Sequence, residues 1–276
     1  MFRIRFWGVR GSIPTPGPAT MQIGGNTACL EVRADDRLVI LDGGTGLRAL
    51  GDELIKNMPT KAAMFFSHVH WDHIQGFPFF KPAFVPGNEF DLYGGRNLTG
   101  TLSETLAGQM NFPNFPVTLE QMASVMRFHQ FDAGEVVDLG GGLTVEAREL
   151  NHPNGCYGYR ISYEGKSFAF CTDTEHLDEP DQNVLDLARD AEIFVYDAQY
   201  TPEEYTGEEG GMPKTGWGHS TFVVGAELAE MAGAKRLVLY HHDPAQDDAA
   251  VLEKERRCRE LFPATDAARE GLVYDL

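Results

Sequence analysis

Three histidines and an aspartate fall within six positions of the run Ser67-His68-Val69-His70-Trp71-Asp72-His73. In extended backbone the side chains alternate, so His68 and His70 face the same way. A turn toward helix after them would swing Asp72 and His73 to a second point nearby. Imidazole and carboxylate at this spacing suit two divalent ions, with zinc, manganese and iron all compatible. Histidine is scarce, nine in 276 residues, yet a third of them sit here, which disfavours a ligand-free loop.

A binuclear site needs more ligands than one motif supplies. The other histidines are His129, His152, His176, His219, His241 and His242. His152 precedes Pro153, and His219 lies in Gly216-Trp217-Gly218-His219-Ser220-Thr221. His241 and His242 close the apolar run Leu237-Val238-Leu239-Tyr240, and Asp173 closes Phe168-Ala169-Phe170-Cys171-Thr172. Strand ends along one rim of a sheet are where α/β sites gather. His129, beside Phe128 and close to Phe131, reads as structural. His176 reads either as support for the site or as an exposed residue.

The elements that must position these groups follow from periodicity. Ile4 and Phe6 alternate with Arg3 and Arg5, a strand signal, and strand-like runs recur at 28–33, 37–42, 62–67, 143–148, 158–163, 167–171, 193–196 and 236–240. Helical spacing predicts helices over 47–56, 102–110, 119–126, 183–189, 222–231 and 249–261. Strands followed by helices predict an α/β arrangement with helices outside the sheets. No repeat, low-complexity tract or linker divides the chain, so one domain over 1–276 is expected. Segment 78–135, rich in Phe and Pro, reads as an insertion or lid. Within it Phe112 and Phe115, and beyond it Trp217, are either base-stacking pocket residues or core and dimer contacts.

Composition narrows the function classes. The chain carries 23 Lys and Arg against 41 Asp and Glu, a net charge of −18. That is unfavourable for long nucleic acid, where affinity rests on neutralised phosphates. A small anionic substrate stays open, because bound ions can reverse the local sign. No apolar run approaches the roughly 18–20 residues of a membrane span, and the first residues lack the apolar core of a signal peptide. A cytoplasmic protein is expected. Cys29, Cys156, Cys171 and Cys258 form no C-x-x-C pair and read as reduced, buried thiols. Base rates point to a homodimer.

On His68, His70, Asp72 and His73, then His152, Asp173 and His241 in that order, the chain resembles the metallo-β-lactamase superfamily. Phe6-Trp7-Gly8-Val9-Arg10-Gly11-Ser12 and Leu41-Asp42-Gly43-Gly44-Thr45-Gly46 fit the same pattern. His219-Ser220-Thr221 is similar to the motif of the ribonuclease Z and phosphoribosyl cyclic phosphodiesterase branch. The resemblance implies a four-layer αββα sandwich, α/β or α+β in class. It implies that His68, His70 and His152 hold one ion, that Asp72, His73 and His241 hold the other, and that Asp173 bridges them. It makes His219 the general acid, oriented by Asp197, an Asp where ribonuclease Z has Glu. Asp42 would orient a ligand histidine. His241 is preferred to His242 as the last ligand because it directly follows the strand; His242 stays a neighbour of the site.

The implied activity is that of a binuclear metal-dependent phosphodiesterase. Two divalent ions set against Asp72, Asp173 and a bridging hydroxide leave about one positive charge, enough to attract a phosphodiester. The hydroxide would attack in line and His219 would protonate the leaving oxygen. Ribonuclease Z grips transfer RNA with a basic arm. Segment 78–135, the best candidate for one, holds Lys81, Arg96 and Arg127 against six acidic residues. A small cyclic or short nucleotide-like diester, such as a cyclic nucleotide, is therefore the expected substrate. A thioesterase of the glyoxalase II type, another ester or lactam hydrolase on the same fold, or a non-catalytic metal-stabilised sensor are the competing classes. Neither the thioesterase nor the lactamase needs the His-Ser-Thr motif, and an intact ligand set with an acid candidate disfavours the sensor.

Overall fold

The computed structural model describes residues 1–96, 100–208 and 211–276. One seven-stranded sheet takes β1 (Phe2–Gly8), β2 (Cys29–Ala34), β3 (Arg37–Leu41), β4 (Lys61–Phe66), β5 (Glu89–Gly95) and β6 (Val125–Phe131), with β14 (Val273–Asp275) beside β1. The other takes β7 (Val136–Asp138), β8 (Thr144–Leu150), β9 (Cys156–Tyr163), β10 (Lys166–Cys171), β11 (Ile193–Asp197), β12 (Leu237–Tyr240) and β13 (Thr265–Ala267) in consecutive order. Both are mixed: β3 to β6 run parallel, as do β10 to β13, and the remaining neighbours pair antiparallel, β14 closing on β1 from the other end of the chain.

Period-2 alternation sets the facing. In β1, Phe2, Ile4 and Phe6 are buried between the sheets, where they meet Val145, Tyr159, Phe170 and Tyr240. On the outer face of the first sheet, Ile40, Met64 and Phe66 pack under α1 (Gly46–Leu54) and α3 (Leu102–Gln109), through Leu47, Leu50 and Leu106. On the outer face of the second, Ala169, Phe194 and Leu239 pack under α4 (Gln182–Ala188) and α6 (Phe222–Ala232). The order of layers is αββα, as the resemblance implied. α2 (Trp71–Ile74), α5 (Pro202–Thr206) and α7 (Asp248–Leu261) complete the helices that matter below. Among the described residues no helix is long and apolar enough to cross a membrane.

Segment 78–135 differs from its sequence reading. The helix expected over 119–126 is a single 3-10 turn, Leu119–Gln121, after which the chain enters β6. Met122 and Met126 have helical spacing, but Val125 to Phe131 pair in parallel register with β5, and that ladder satisfies their backbone groups instead. β5 itself alternates cleanly, with Phe90 and Leu92 buried. So the segment supplies two strands to the sheet as well as α3; its residues 97–99 lie outside the described residues.

Candidate metal centre

Most of the chemistry-bearing side chains sit where a strand ends; Asp72 and His73 lie in α2, and His219 lies in the loop before α6. Asp42 follows β3, Ser67 and His68 follow β4, His152 follows β8, Asp173 follows β10, Asp197 ends β11 and His241 follows β12. Asp42, Asp173 and His241 have φ of 62°, 52° and 58°, and Ser12 has 62°. Non-glycine residues rarely adopt this left-handed region, and four of the eight that do so among the described residues line this rim. Gly11 is required nearby, since a Cβ there would stand 2.3 Å from the His241 ring.

Two clusters result. Asp72, His73, Asp173 and His241, all buried, turn one ligand atom each to a common point. His73 Nε2 lies 3.3 Å from His241 Nε2, 3.3 Å from Asp72 Oδ2 and 3.3 Å from Asp173 Oδ1. His241 Nε2 is 3.1 Å from Asp72 Oδ2 and 3.2 Å from Asp173 Oδ1. Ligands about 2.0–2.1 Å from a tetrahedral ion stand roughly 3.3–3.4 Å apart. These edges therefore fit such an ion. His68, His70 and His152 form the second cluster, with His152 Nε2 at 3.1 Å from His70 Nδ1. The buried His68 Nε2 has no hydrogen-bond partner, a stranded lone pair or N–H that an ion would satisfy. Asp173 faces both clusters: Oδ1 meets the first and Oδ2 lies 3.5 Å from His68 Nε2.

Supporting contacts fix which ring nitrogen is free. Asp42 Oδ2 holds His73 Nδ1 at 2.9 Å while Asp42 Oδ1 accepts from the Ser67 amide at 2.7 Å. The Gly218 carbonyl accepts from His152 Nδ1 at 2.8 Å, and Gln199 Oε1 accepts from His241 Nδ1 at 2.8 Å. Each bond leaves the other nitrogen's lone pair aimed at its cluster. Asp72 Oδ2 accepts from the Ser12 amide at 2.7 Å. Burial alone would raise the Asp72 and Asp173 carboxyls, but the adjacent His73 and His241 hold both well below the usual range. Burial depresses His68 strongly. Burial would also depress His73, yet Asp173, Asp72 and Asp42 raise it well above an ordinary histidine.

His219 stands beside both clusters. A ring nitrogen of His219 is within 4.8 Å of ligand atoms of His152 and Asp173, and the ring stacks on His241 at 4.9 Å. Its Nδ1 is 2.8 Å from Oδ2 of the fully buried Asp197. Burial opposes the imidazolium, but Asp197 overrides it and the histidine is pushed up to about 9. Thr221 caps α6, so the last residue of His-Ser-Thr anchors the loop that presents His219. Ser220 Oγ meets His176 Nδ1 at 3.0 Å and Tyr196 Oη at 3.1 Å, which gives His176 a place behind that loop.

Other residues lie apart. His242 turns away, with Nε2 donating to the Ala268 carbonyl at 2.9 Å. Phe115 packs edge-on against Phe79 in the outer layer, and Phe112 is 90% exposed. Trp217 is about half exposed beneath the Lys214 ammonium, 4.1 Å from its ring centre. His129 pairs with Asp91 on β5 and stacks on Tyr93, away from the clusters. Sequence reasoning missed Ser12, Gln199, Gly218 and Glu175. Glu175 accepts from the Gly216 and Gly218 amides and from the Tyr205 hydroxyl, and so pins the loop before His219.

A family profile described as "Beta-lactamase superfamily domain" matches residues 37–242. Ribonuclease BN of Cronobacter sakazakii is 26% identical over 263 residues, covering 76% of this chain and 80% of that protein. Two solved structures share the fold over nearly all of both chains. One is a diphosphatase described as from the PhnP family (TM-score 0.71, 19% identity, 100% of this chain and 98% of that one). The other is zinc-bound PqqB from Methylobacterium extorquens (TM-score 0.72, 15% identity, 99% and 100%). With its fold, its matched residues and its buried histidine–aspartate clusters together, the chain belongs to the metallo-β-lactamase superfamily.

Proposed function

We propose that this chain is a binuclear metal-dependent phosphodiesterase acting on a small cyclic or short nucleotide-like diester. The observation that carries the reading is His219, tied to buried Asp197 and set beside both clusters, a proton donor where a leaving oxygen needs one. His68, His70 and His152 would hold one ion and Asp72, His73 and His241 the other, with Asp173 between them. Divalent ions bound there supply Lewis acidity, acidifying water and neutralising the non-bridging phosphate oxygens.

The chain's own residues do the rest. Asp42, Gln199 and the Gly218 carbonyl keep the ligand rings in the required tautomers. Asp197 keeps a proton on His219, and Nε2 is the nitrogen left free to deliver it. Trp217 is half exposed near His219 with the Lys214 ammonium over one face of its ring, a cation placed for an anionic group. The net charge of −18 weighs against long RNA, although the curated relative is a ribonuclease.

Hydrolysis of bis(p-nitrophenyl) phosphate by protein loaded separately with zinc and manganese tests this. Turnover should vanish in Asp72→Ala. His219→Ala should keep its metal and lose turnover only on a diester with a poor leaving group. Thioester hydrolysis with no diester turnover, metals bound, would move the assignment to a thioesterase.

A further inference from the structure

A cavity of about 410 Å³ opens on the outer face of the first sheet, at the opposite strand ends from the metal clusters. α1 starts beside Asp42 and ends at Leu54, short of covering this face. The floor is made by the outward residues of β1 and β2, and the wall by Asn57, Thr60 and Lys61. The size falls within the roughly 300–1,000 Å³ of small-molecule sites.

The charges here are unusual for so acidic a chain. Arg3 stands directly opposite Arg33 in the β1–β2 register, a like-charge pair that repels. Arg3 is met by Asp275 at 2.6 Å, Arg33 by Glu31 at 2.5 Å and Lys61 by Glu89 at 2.7 Å. The remaining lining carboxylates are also taken, Glu53 by Lys56 and Asp36 by Arg37. Arg5 stands opposite Glu31 in the same register, but that carboxylate is taken by Arg33 and the Trp7 indole; among the described residues Arg5 forms no ion pair, and its buried Nε has no acceptor. Its guanidinium lies over the Trp7 ring, 4.0 Å from the centroid, which restricts where the side chain can go. A buried charged donor without an acceptor is destabilising unless something binds it.

We propose that this cavity is a second binding site, separate from the metal centre, that takes the phosphate group of a small molecule on the Arg5 guanidinium. An arginine fork matches two phosphate oxygens at once, and Arg5 is the one lining cation among the described residues without a carboxylate partner. Asn57 and Thr60 lie in the wall of the same cavity.

The test follows the Arg5 Nε–Hε and the Asn57 and Thr60 amide resonances of zinc-loaded protein during titration with inorganic phosphate. Chloride at matched ionic strength and acetate are run in parallel. Saturable movement with phosphate, unchanged in Asp72→Asn, is expected. Arg5→Gln should weaken phosphate binding at Asn57 and Thr60 by about tenfold or more, the loss of one charged bidentate contact. Lys61→Gln, at the rim, should cost less and guards against misfolding of the first variant. Resonances that stay still while metal-centre signals move would overturn the proposal. So would an equal response to chloride or acetate, or phosphate binding unchanged in both variants.

Discussion

Replacing Asp197 by Asn removes the charge that keeps His219 protonated and leaves the ring's shape and burial intact. The sign follows from the contacts. Burial alone pushes an imidazole below about 6.5, while Asp197 lifts His219 to about 9. Holding the proton over that interval is worth about 3 kcal/mol. At pH 8 about 90% of His219 is protonated with Asp197 in place, and about 3% is if the ring falls back to an ordinary value. On a diester with an alkyl leaving group, kcat at pH 8 should therefore fall about thirtyfold, and the alkaline limb of the profile should move to lower pH. Metal cations nearby lower the limb in both proteins but leave the order unchanged. On a p-nitrophenyl ester, whose leaving group needs no proton, the two should turn over alike. The same pair makes stability pH-dependent: its contribution is complete below about 6.5 and lost as pH rises through about 9. Matched kcat profiles with both leaving groups are the assay. An alkaline limb unmoved by Asp197→Asn would refute the role of this pair.

Asp42→Asn and Gln199→Leu should each weaken metal binding about ten- to a hundredfold, because they release the rings of His73 and His241, as chelator competition would read. Gly218→Ala should do the same to the other cluster: a Cβ would stand 2.3 Å from His152 Nδ1 at a φ of +86°. Metal binding should release protons and weaken as pH falls, since His73 is raised well above an ordinary histidine and must deprotonate to ligate; calorimetry in buffers of different ionisation enthalpy measures this. Leu50→Ala, on the buried face of α1, should cost about 2–5 kcal/mol in denaturant unfolding and leave the clusters in place.

What was legible in the sequence was local or sat at a strand end. His68 to His73 lie in one turn of chain, and the β4 run that precedes them is plainly apolar. His152, Asp173 and His241 were placed by resemblance, and their strand-end positions agree with it. Gln199 and Ser12 left no local signal: Gln199 meets His241 across 42 positions and Ser12 meets Asp72 across 60. Such pairs exist only once β11 lies beside β12 and the loop after β1 crosses the rim. Glu175 was hidden because a carboxylate that binds backbone amides has no partner type to look for. In β6 the methionine spacing favoured a helix, and only the register with β5 decided otherwise. In β5 the period-2 alternation is present but lies inside the Phe- and Pro-rich segment 78–135, which reads as an insertion or lid.

The most direct measurement is metal stoichiometry, by elemental analysis after dialysis, on the wild-type chain and on Asp72→Ala and His152→Ala. Two divalent ions per wild-type chain, with loss in each variant, is the expected result. A wild-type chain that retains no metal under conditions where it stays folded, or one whose metal content is indifferent to both substitutions, would contradict a binuclear centre at these clusters.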